Sequence, residues 1–281
     1  MNDLSDRINK TKRLIDESDY VLIGAGAGLS TAAGIDYGGE RFQKYFADYI
    51  EQYNFTDMYT SSFYDFETEE EFWAYWARHI YVNNVGMGST QLYEKLLKLV
   101  EDKNYFVIST NVDDQFLKSG FESSRIFSIQ GSYRFIQCKK ACHDSLYDDS
   151  SMVKEMLKET TEDLKIPSNL IPSCPVCGGP MDVNLRKDDK FVQDEYWYKQ
   201  HQTYVDFINK AKYDKTVLLE FGVGFNTPGI IRFPFESMTS KISKWNLVRF
   251  NKSHIELSLH IENQYTPFTE DIESIIDELL I

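Results

Sequence analysis

The chain is short of positive charge, of long apolar runs and of cysteine, and each shortage removes a class of function. Lys and Arg number 30 against 44 Asp and Glu, for a formal net charge of −14. That balance opposes the counterion release that drives nucleic-acid binding, and no basic cluster interrupts it, so DNA, RNA and anionic membrane surfaces are not expected partners. No stretch approaches the roughly 18 apolar residues of a spanning helix. The opening segment 1–7 lacks the charged-then-apolar order of a leader, so a cytoplasmic protein without a membrane segment is expected. Only four cysteines occur, grouped as Cys138 with Cys142 and Cys174 with Cys177. In a reducing compartment such pairs point to a metal ion rather than to disulfides.

What is present suits one large core. With 281 residues, 42% of them hydrophobic and 15% aromatic, the chain can bury a main sheet, carry an inserted module and wall a site for a planar ligand. An amphipathic segment at 6–18 leads into the apolar run Tyr20-Val21-Leu22-Ile23, which reads as a buried strand. Further β-like runs are 105–108, 125–129, 216–221, 247–250 and 257–261, and helical patterns occupy 90–101 and 271–280. Strands alternating with helices predict an α/β fold: a Rossmann-like, mostly parallel sheet with helices on both faces. Two stretches interrupt the alternation within a domain spanning 1–281. Residues 40–85 are crowded with aromatics and read as a helical subdomain with an aromatic core, or as a lid over a ligand pocket. Residues 137–189, bounded by the cysteine pairs, read as an inserted metal-binding module.

The chemistry-bearing residues fall at the ends of these strands. After the first comes Gly24-Ala25-Gly26-Ala27-Gly28-Leu29-Ser30-Thr31-Ala32-Ala33-Gly34, small residues where backbone approaches a ligand and helix N–H groups can face phosphate. The acidic balance does not oppose such a ligand, because backbone N–H groups supply local positive potential. The G-x-G-x-x-G spacing is missing: Gly24 and Gly26 are followed by Leu29, and Gly26 and Gly28 by Thr31. No acidic residue ends a second strand about twenty residues on, which disfavours flavin and nicotinamide oxidoreductases. Ser109-Thr110-Asn111-Val112-Asp113-Asp114 ends the next strand and Ser128-Ile129-Gln130-Gly131-Ser132 a later one, lining the crevice where open α/β sheets bind ligands.

Together and in this order, these segments resemble the sirtuin family of NAD-dependent enzymes over nearly the whole chain. The family's G-A-G-I-S…G-I-P-D-F-R segment is matched by Gly26-Ala27-Gly28-Leu29-Ser30 and Gly34-Ile35-Asp36-Tyr37; aligned on strand ends instead, Gly24-Ala25-Gly26 takes the first place. Its T-Q-N-I-D motif is matched by Ser109-Thr110-Asn111-Val112-Asp113, its G-T-S turn by Gly222-Val223-Gly224 and its V-x-I-N by Val248-Arg249-Phe250-Asn251. The resemblance implies NAD contacts from Ala25, Gly26, Ala27, Gly28, Ser30, Asp36, Tyr37, Thr110, Gly222, Gly224, Arg249 and Asn251. It implies that Asn111 orients the nicotinamide-bearing ribose and that Asp113 holds the carboxamide. It also implies a zinc ribbon, since Cys138 and Cys142, a long insert and then Cys174-Pro175-Val176-Cys177 follow the family's layout. Four thiolates would enclose a structural Zn2+ with no open coordination position. His143 replacing Cys142 is the alternative ligand set.

Two departures bear on function. The general-base histidine of deacylating sirtuins is replaced by Gln130, a carboxamide that takes no proton near neutral pH, so assistance worth roughly 10²–10⁴-fold is lost. The arginine of D-F-R gives way to Gly38 and Gly39, with Arg41 placed to reach back. Deacylation is expected to be crippled, whereas loss of nicotinamide from an oxocarbenium-like ribose needs positioning and electrostatics rather than a base. These features resemble the class M branch, found with macrodomain proteins in microbes, in Gly-Ala-Gly-Ala-Gly, in Gln130 and in Asn184-Leu185-Arg186. That resemblance implies an NAD-dependent mono-ADP-ribosyltransferase whose acceptor is a lipoylated carrier protein similar to the glycine-cleavage H protein, with a macrodomain ADP-ribosyl hydrolase as counterpart. Gln130 is then expected to hydrogen-bond a ribose hydroxyl or the acceptor. A deacylase using another base, an NAD hydrolase and a noncatalytic NAD-sensing module are the competing readings. His79, His201, His254 and His260 fall in no motif, and Tyr196-Trp197-Tyr198 reads as a packed patch or part of an acceptor groove.

Overall fold

The structure, a computed structural model, describes residues 3–281. In chain order its elements are α1 (Leu4–Asp16), β1 (Tyr20–Ala25), α2 (Ala27–Ala32), α3 (Gly39–Tyr53), α4 (Met58–Ser61), α5 (Glu69–Ile80), α6 (Gln91–Val100), β2 (Asn104–Ser109), α7 (Gln115–Lys118), β3 (Ile126–Ser128), β4 (Gly131–Cys138), β5 (Tyr147–Asp148), α8 (Ser150–Glu159), β6 (Met181–Leu185), α9 (Glu195–Ala211), β7 (Thr216–Phe221), α10 (Arg232–Lys241), β8 (Trp245–Phe250), β9 (Tyr265–Phe268) and α11 (Ile272–Leu280).

The main sheet has the order β3-β2-β1-β7-β8-β9, and every neighbouring pair is parallel. Helices cover both faces, which is why β1 reads as an unbroken apolar run. Val21 and Ile23 enter one core with Leu96 of α6 and Ile276 of α11, while Leu22 enters the opposite core with Phe235 of α10. That division follows the period-two alternation of a strand. The chain builds outward from β1 through β2 to β3, then restarts at β7 on the other side of β1. The crevice of such a sheet opens where the order reverses, at the carboxyl end of β1. One edge is the three-residue β3, and the other is β9, where Pro267 pairs with Arg249.

The strand expected at 257–261 is not there; those residues form an irregular loop, and the last strand is β9. Buried charges satisfy the loop's backbone in place of a ladder. Arg232 and Arg249 donate to the Glu256 carbonyl at 2.7 and 2.8 Å, and the Ser258 N–H donates to Glu236 at 2.7 Å.

The aromatic stretch forms α3, α4 and α5, followed by a π-helical turn at Tyr81–Val85. A reciprocal cap starts α5: the Thr68 hydroxyl accepts from Glu71 N–H, and the Glu71 carboxylate accepts from Thr68 N–H. Phe42, Phe46, Tyr49, Trp73, Tyr75 and Trp76 are buried in a core that runs on into Tyr133, Ile136, Val153 and Met156. The aromatic lobe and the cysteine-bearing module are therefore packed as one body. The module's antiparallel sheet, β5-β4-β6, begins at Gly131, ahead of the start expected at 137.

Candidate active site and metal centre

Register brings the motifs to one edge. Ala25 pairs with Ser109 and Phe221, Ser109 with Ser128, and Phe221 with Phe250. Gly26, Asn111, Gln130, Gly222 and Asn251 thus leave the sheet side by side, each within two residues of a common level.

Asn111 is fixed by its amide nitrogen, which donates to the Gly26 carbonyl at 3.0 Å and to the Tyr93 hydroxyl at 3.3 Å. Both amide protons are used by the protein, so Oδ1 is the acceptor left for a ligand. Asp113 is buried, accepting from the Ser30 hydroxyl at 2.5 Å and from Gln115 N–H at 3.0 Å. Burial holds its carboxyl above the usual carboxylate range in spite of these bonds. The Ser30 hydroxyl also meets Tyr93 at 3.2 Å. Ser30, expected to contact NAD, therefore anchors Asp113. Tyr93 was missed by the sequence reading: nothing local distinguishes it from the other buried residues of α6.

Three expected cofactor glycines are occupied by one another. A Cβ on Gly26 would lie 2.8 Å from the Gly222 carbonyl oxygen, and one on Gly28 2.7 Å from Gly222 Cα. Gly222 itself has φ +60°. Gly26 N–H donates to Phe221 at 2.9 Å and Gly28 N–H to Gly222 at 3.0 Å, so these amides do not face phosphate. Ala27 N–H, the first amide of α2, has no acceptor among the described residues. Gly224 is open, with nothing within 4 Å of where its Cβ would stand.

Arg249 is a further correction. It is fully buried, donating to Glu220 at 2.7 Å and Glu236 at 2.8 Å, so its guanidinium holds the sheet and the following loop rather than a ligand. Asn251 likewise ties two loops, donating to the Val223 carbonyl at 2.9 Å and accepting from His254 N–H at 3.0 Å. Thr110 is held by Ala25, to whose carbonyl its N–H and hydroxyl donate at 3.0 and 3.2 Å. Arg41 donates to the Asp36 carbonyl at 2.9 Å and to Asn83 at 2.8 Å, which holds it beside the exposed Asp36 and the half-buried Tyr37.

Gln130 is half-buried, and its carboxamide has no partner among the described residues. Its carbonyl accepts from Arg186 N–H at 3.0 Å. Next to it Gly131 adopts φ +91°, and a Cβ there would overlap the Asn184 carbonyl, so the Asn184-Leu185-Arg186 segment closes on Gln130. A cavity of about 490 Å³ is lined by Gly131, Asn111, Asp113, Arg134, Asn184 and Trp197 among others. Trp197 packs on Phe127 and donates to the Ile129 carbonyl at 3.2 Å, while Tyr198 is exposed.

One buried carboxyl nearby is unpartnered. Neither oxygen of Asp149 has a hydrogen bond among the described residues, and burial together with the charges of Asp148 and Asp114 pushes it up to about 8. A carboxyl raised in the folded state binds more protons there than when unfolded. Its contribution is therefore intact below about pH 4 and lost as pH rises through about 8. Asp149→Asn is expected to raise Tm at pH 8.5 by several degrees more than at pH 5, corresponding to a few kcal/mol at ~1.4 kcal/mol per pKa unit. Equal gains at the two pH values in a thermal scan would contradict this.

The four Sγ atoms of Cys138, Cys142, Cys174 and Cys177 lie within 4.8 Å of one another, with edges of 3.7 Å (Cys138 to Cys177) and 3.6 Å (Cys142 to Cys174). A tetrahedron with Zn–S of about 2.3 Å has edges near this length. The cluster fits a closed structural zinc site. His143 stands beside it, Nδ1 3.1 Å from Cys142 Sγ and Nε2 2.8 Å from the Tyr147 hydroxyl, but the group of mutually close donor atoms is the four Sγ without it.

A doubly covered parallel sheet, with its crevice at the switch point and a four-thiolate centre in an insertion, defines a zinc-stapled, Rossmann-like nucleotide-binding protein. The Sir2 family model matches residues 26–216, and the chain belongs to the Sir2 family. It is 35% identical over 281 residues to a protein ADP-ribosyltransferase of Staphylococcus aureus (strain Mu50), covering all of this chain and 89% of that one. It is 31% identical over 245 residues to a probable bifunctional ADP-ribose hydrolase/ADP-ribosyltransferase of Fusarium oxysporum f. sp. cubense, covering 83% of this chain and 40% of that protein. The solved structure of Sir2Tm bound to a propionylated peptide shares the fold, with a TM-score of 0.61 and 16% identity over 97% of both chains.

Proposed function

We propose that the protein transfers ADP-ribose from NAD to a side chain of an acceptor protein, releasing nicotinamide. The observation that carries this reading is the contrast between Asn111 and Asp113, both locked by hydrogen bonds, and Gln130, which cannot serve as a base. Breaking the ribose–nicotinamide bond builds positive charge on the ribose. Fixed acceptors such as Asn111 Oδ1 stabilise that charge without taking a proton. The new bond joins the ribose carbon to the acceptor atom, whose proton passes to solvent. Ala27 N–H, Gly224, Asp36 and Tyr37 would serve the dinucleotide, and Gln130 a ribose hydroxyl or the acceptor. The activity named for the Staphylococcus aureus relative supports the transferase reading.

The finer reading is the class M branch, cytoplasmic, with a lipoylated carrier similar to the glycine-cleavage H protein as acceptor and a macrodomain ADP-ribosyl hydrolase as counterpart. The Fusarium relative, named for both hydrolase and transferase activities, is in keeping with such a pairing. Incubation with NAD and a lipoylated carrier is expected to add the mass of one ADP-ribose to the carrier, read by intact mass spectrometry. Deacylation of an acyl-lysine peptide with no mass gain on the carrier would overturn the proposal.

A further inference from the structure

Four side chains form one hydrogen-bonded line, of which the reaction just described uses only the Tyr37 end. The Tyr37 and Tyr133 hydroxyls are 2.6 Å apart, Tyr133 lies 2.8 Å from His79 Nε2, His79 Nδ1 lies 3.2 Å from the Tyr75 hydroxyl, and Tyr75 donates to the Met58 carbonyl at 3.1 Å. The carbonyl end sets the direction of the whole line. A carbonyl only accepts, so Tyr75 donates to it and accepts from His79 Nδ1–H; Nε2 is then bare and accepts from Tyr133, which accepts from Tyr37. Only a neutral imidazole carries one donor and one acceptor. Burial, which pushes His79 down to about 3, keeps it neutral.

The line joins parts of the fold that are far apart in sequence. Tyr37 lies on the loop between α2 and α3, Tyr133 on β4, and His79 and Tyr75 on α5. Tyr133 also donates its N–H to the carbonyl of Val112, the residue between Asn111 and Asp113, at 2.9 Å. His79 is completely buried, with Phe46 and Trp76 against its ring.

We infer that His79 is a positioning residue for NAD consumption: through Tyr133 it holds the Tyr37 ring and the Asn111–Asp113 segment in a single arrangement. The inference rests on the reading that NAD is consumed beside Asn111. A misplacement of about 1 Å at a reacting centre costs up to ~100-fold in rate, so a lost tether should appear in kcat.

The test is nicotinamide release from NAD by the full-length, zinc-loaded protein, comparing wild type with Tyr37→Phe, Tyr133→Phe, His79→Leu, His79→Gln and the Tyr37→Phe/His79→Leu double variant. Tyr37→Phe removes one hydroxyl at the half-buried end and keeps the ring. It and His79→Leu are each expected to lower kcat about 10-fold with KM for NAD within about twofold. The double variant should be no slower than the slower single, because the line is cut once. His79→Gln, which offers both a donor and an acceptor, should recover part of the rate. A wild-type kcat in Tyr37→Phe, or losses that multiply in the double variant, would overturn the inference. If His79→Leu fails to fold, Tyr37→Phe, Tyr133→Phe and their double variant decide the matter by kcat and by non-additivity. Wild-type release by Asn111→Ala would instead remove the site reading itself, whereas an inactive Asn111→Ala beside an unimpaired Tyr37→Phe removes this inference alone.

Discussion

Asn111→Ala is expected to slow nicotinamide release at least about 100-fold while the protein stays folded. The rate loss follows from Oδ1: it is the acceptor left over once the two amide protons are anchored, and removing one preorganised group of this kind costs roughly 10²–10³ in kcat. The stability loss is smaller. The Gly26 carbonyl and the Tyr93 hydroxyl each lose a bond, worth about 1 kcal/mol apiece, so Tm should fall by only a few degrees. Asn111→Asp provides a contrast, because it keeps an acceptor but turns a carboxylate oxygen toward the Gly26 carbonyl. It is expected to lose more stability than the alanine variant. Single-turnover nicotinamide release and a thermal scan measure both, and an alanine variant as fast as wild type would place the chemistry elsewhere.

Zinc removal should have the largest effect on structure. Binding of a structural zinc contributes on the order of 10–16 kcal/mol in small thiolate modules, so loss of the metal or of one thiolate unfolds the segment it closes. Here that segment is packed against Trp73 and Trp76 through a shared core, and β4 starts immediately after Gln130. Chelation, or Cys174→Ser, is therefore expected to red-shift tryptophan emission, raise hydrogen exchange over 131–185 and abolish nicotinamide release. The amides of β1, β7 and β8 should stay protected. His143→Ala, which removes no member of the thiolate cluster, should change Tm by no more than a few degrees. A chelated protein with unchanged emission and activity would show that the thiolates hold the module without a metal.

The parallel sheet and the four-thiolate module were legible because each is written locally: an apolar run for a strand buried on both faces, and paired cysteines. What escaped the sequence depends on partners distant along the chain. The alternation of Leu257, Leu259 and Ile261 imitates a strand, yet Arg232, Arg249 and Glu236 had already taken that loop's backbone groups. Arg249 sits in a motif read as nucleotide-binding, but its neighbours Val248 and Phe250 face one core, and alternation turns Arg249 to the other side. A signal for its role existed: Glu220 and Arg249 are opposite charges inside two apolar runs, and they are direct partners in the register. Tyr93, Tyr133 and His79 gave no such hint, since a hydroxyl or imidazole set among apolar neighbours looks like core until its hydrogen-bond partner is known.

The borders of the main sheet have a consequence for the protein's life in a crowded solution. A long, regular border strand is a template on which a second chain can add, the first step toward aggregation. This sheet ends on one side in three residues and on the other in a strand interrupted by Pro267, which has no N–H to offer. A sheet apolar on both faces thus terminates in borders too short or too broken for another copy to extend, and lengthening β3 or replacing Pro267 would remove that protection.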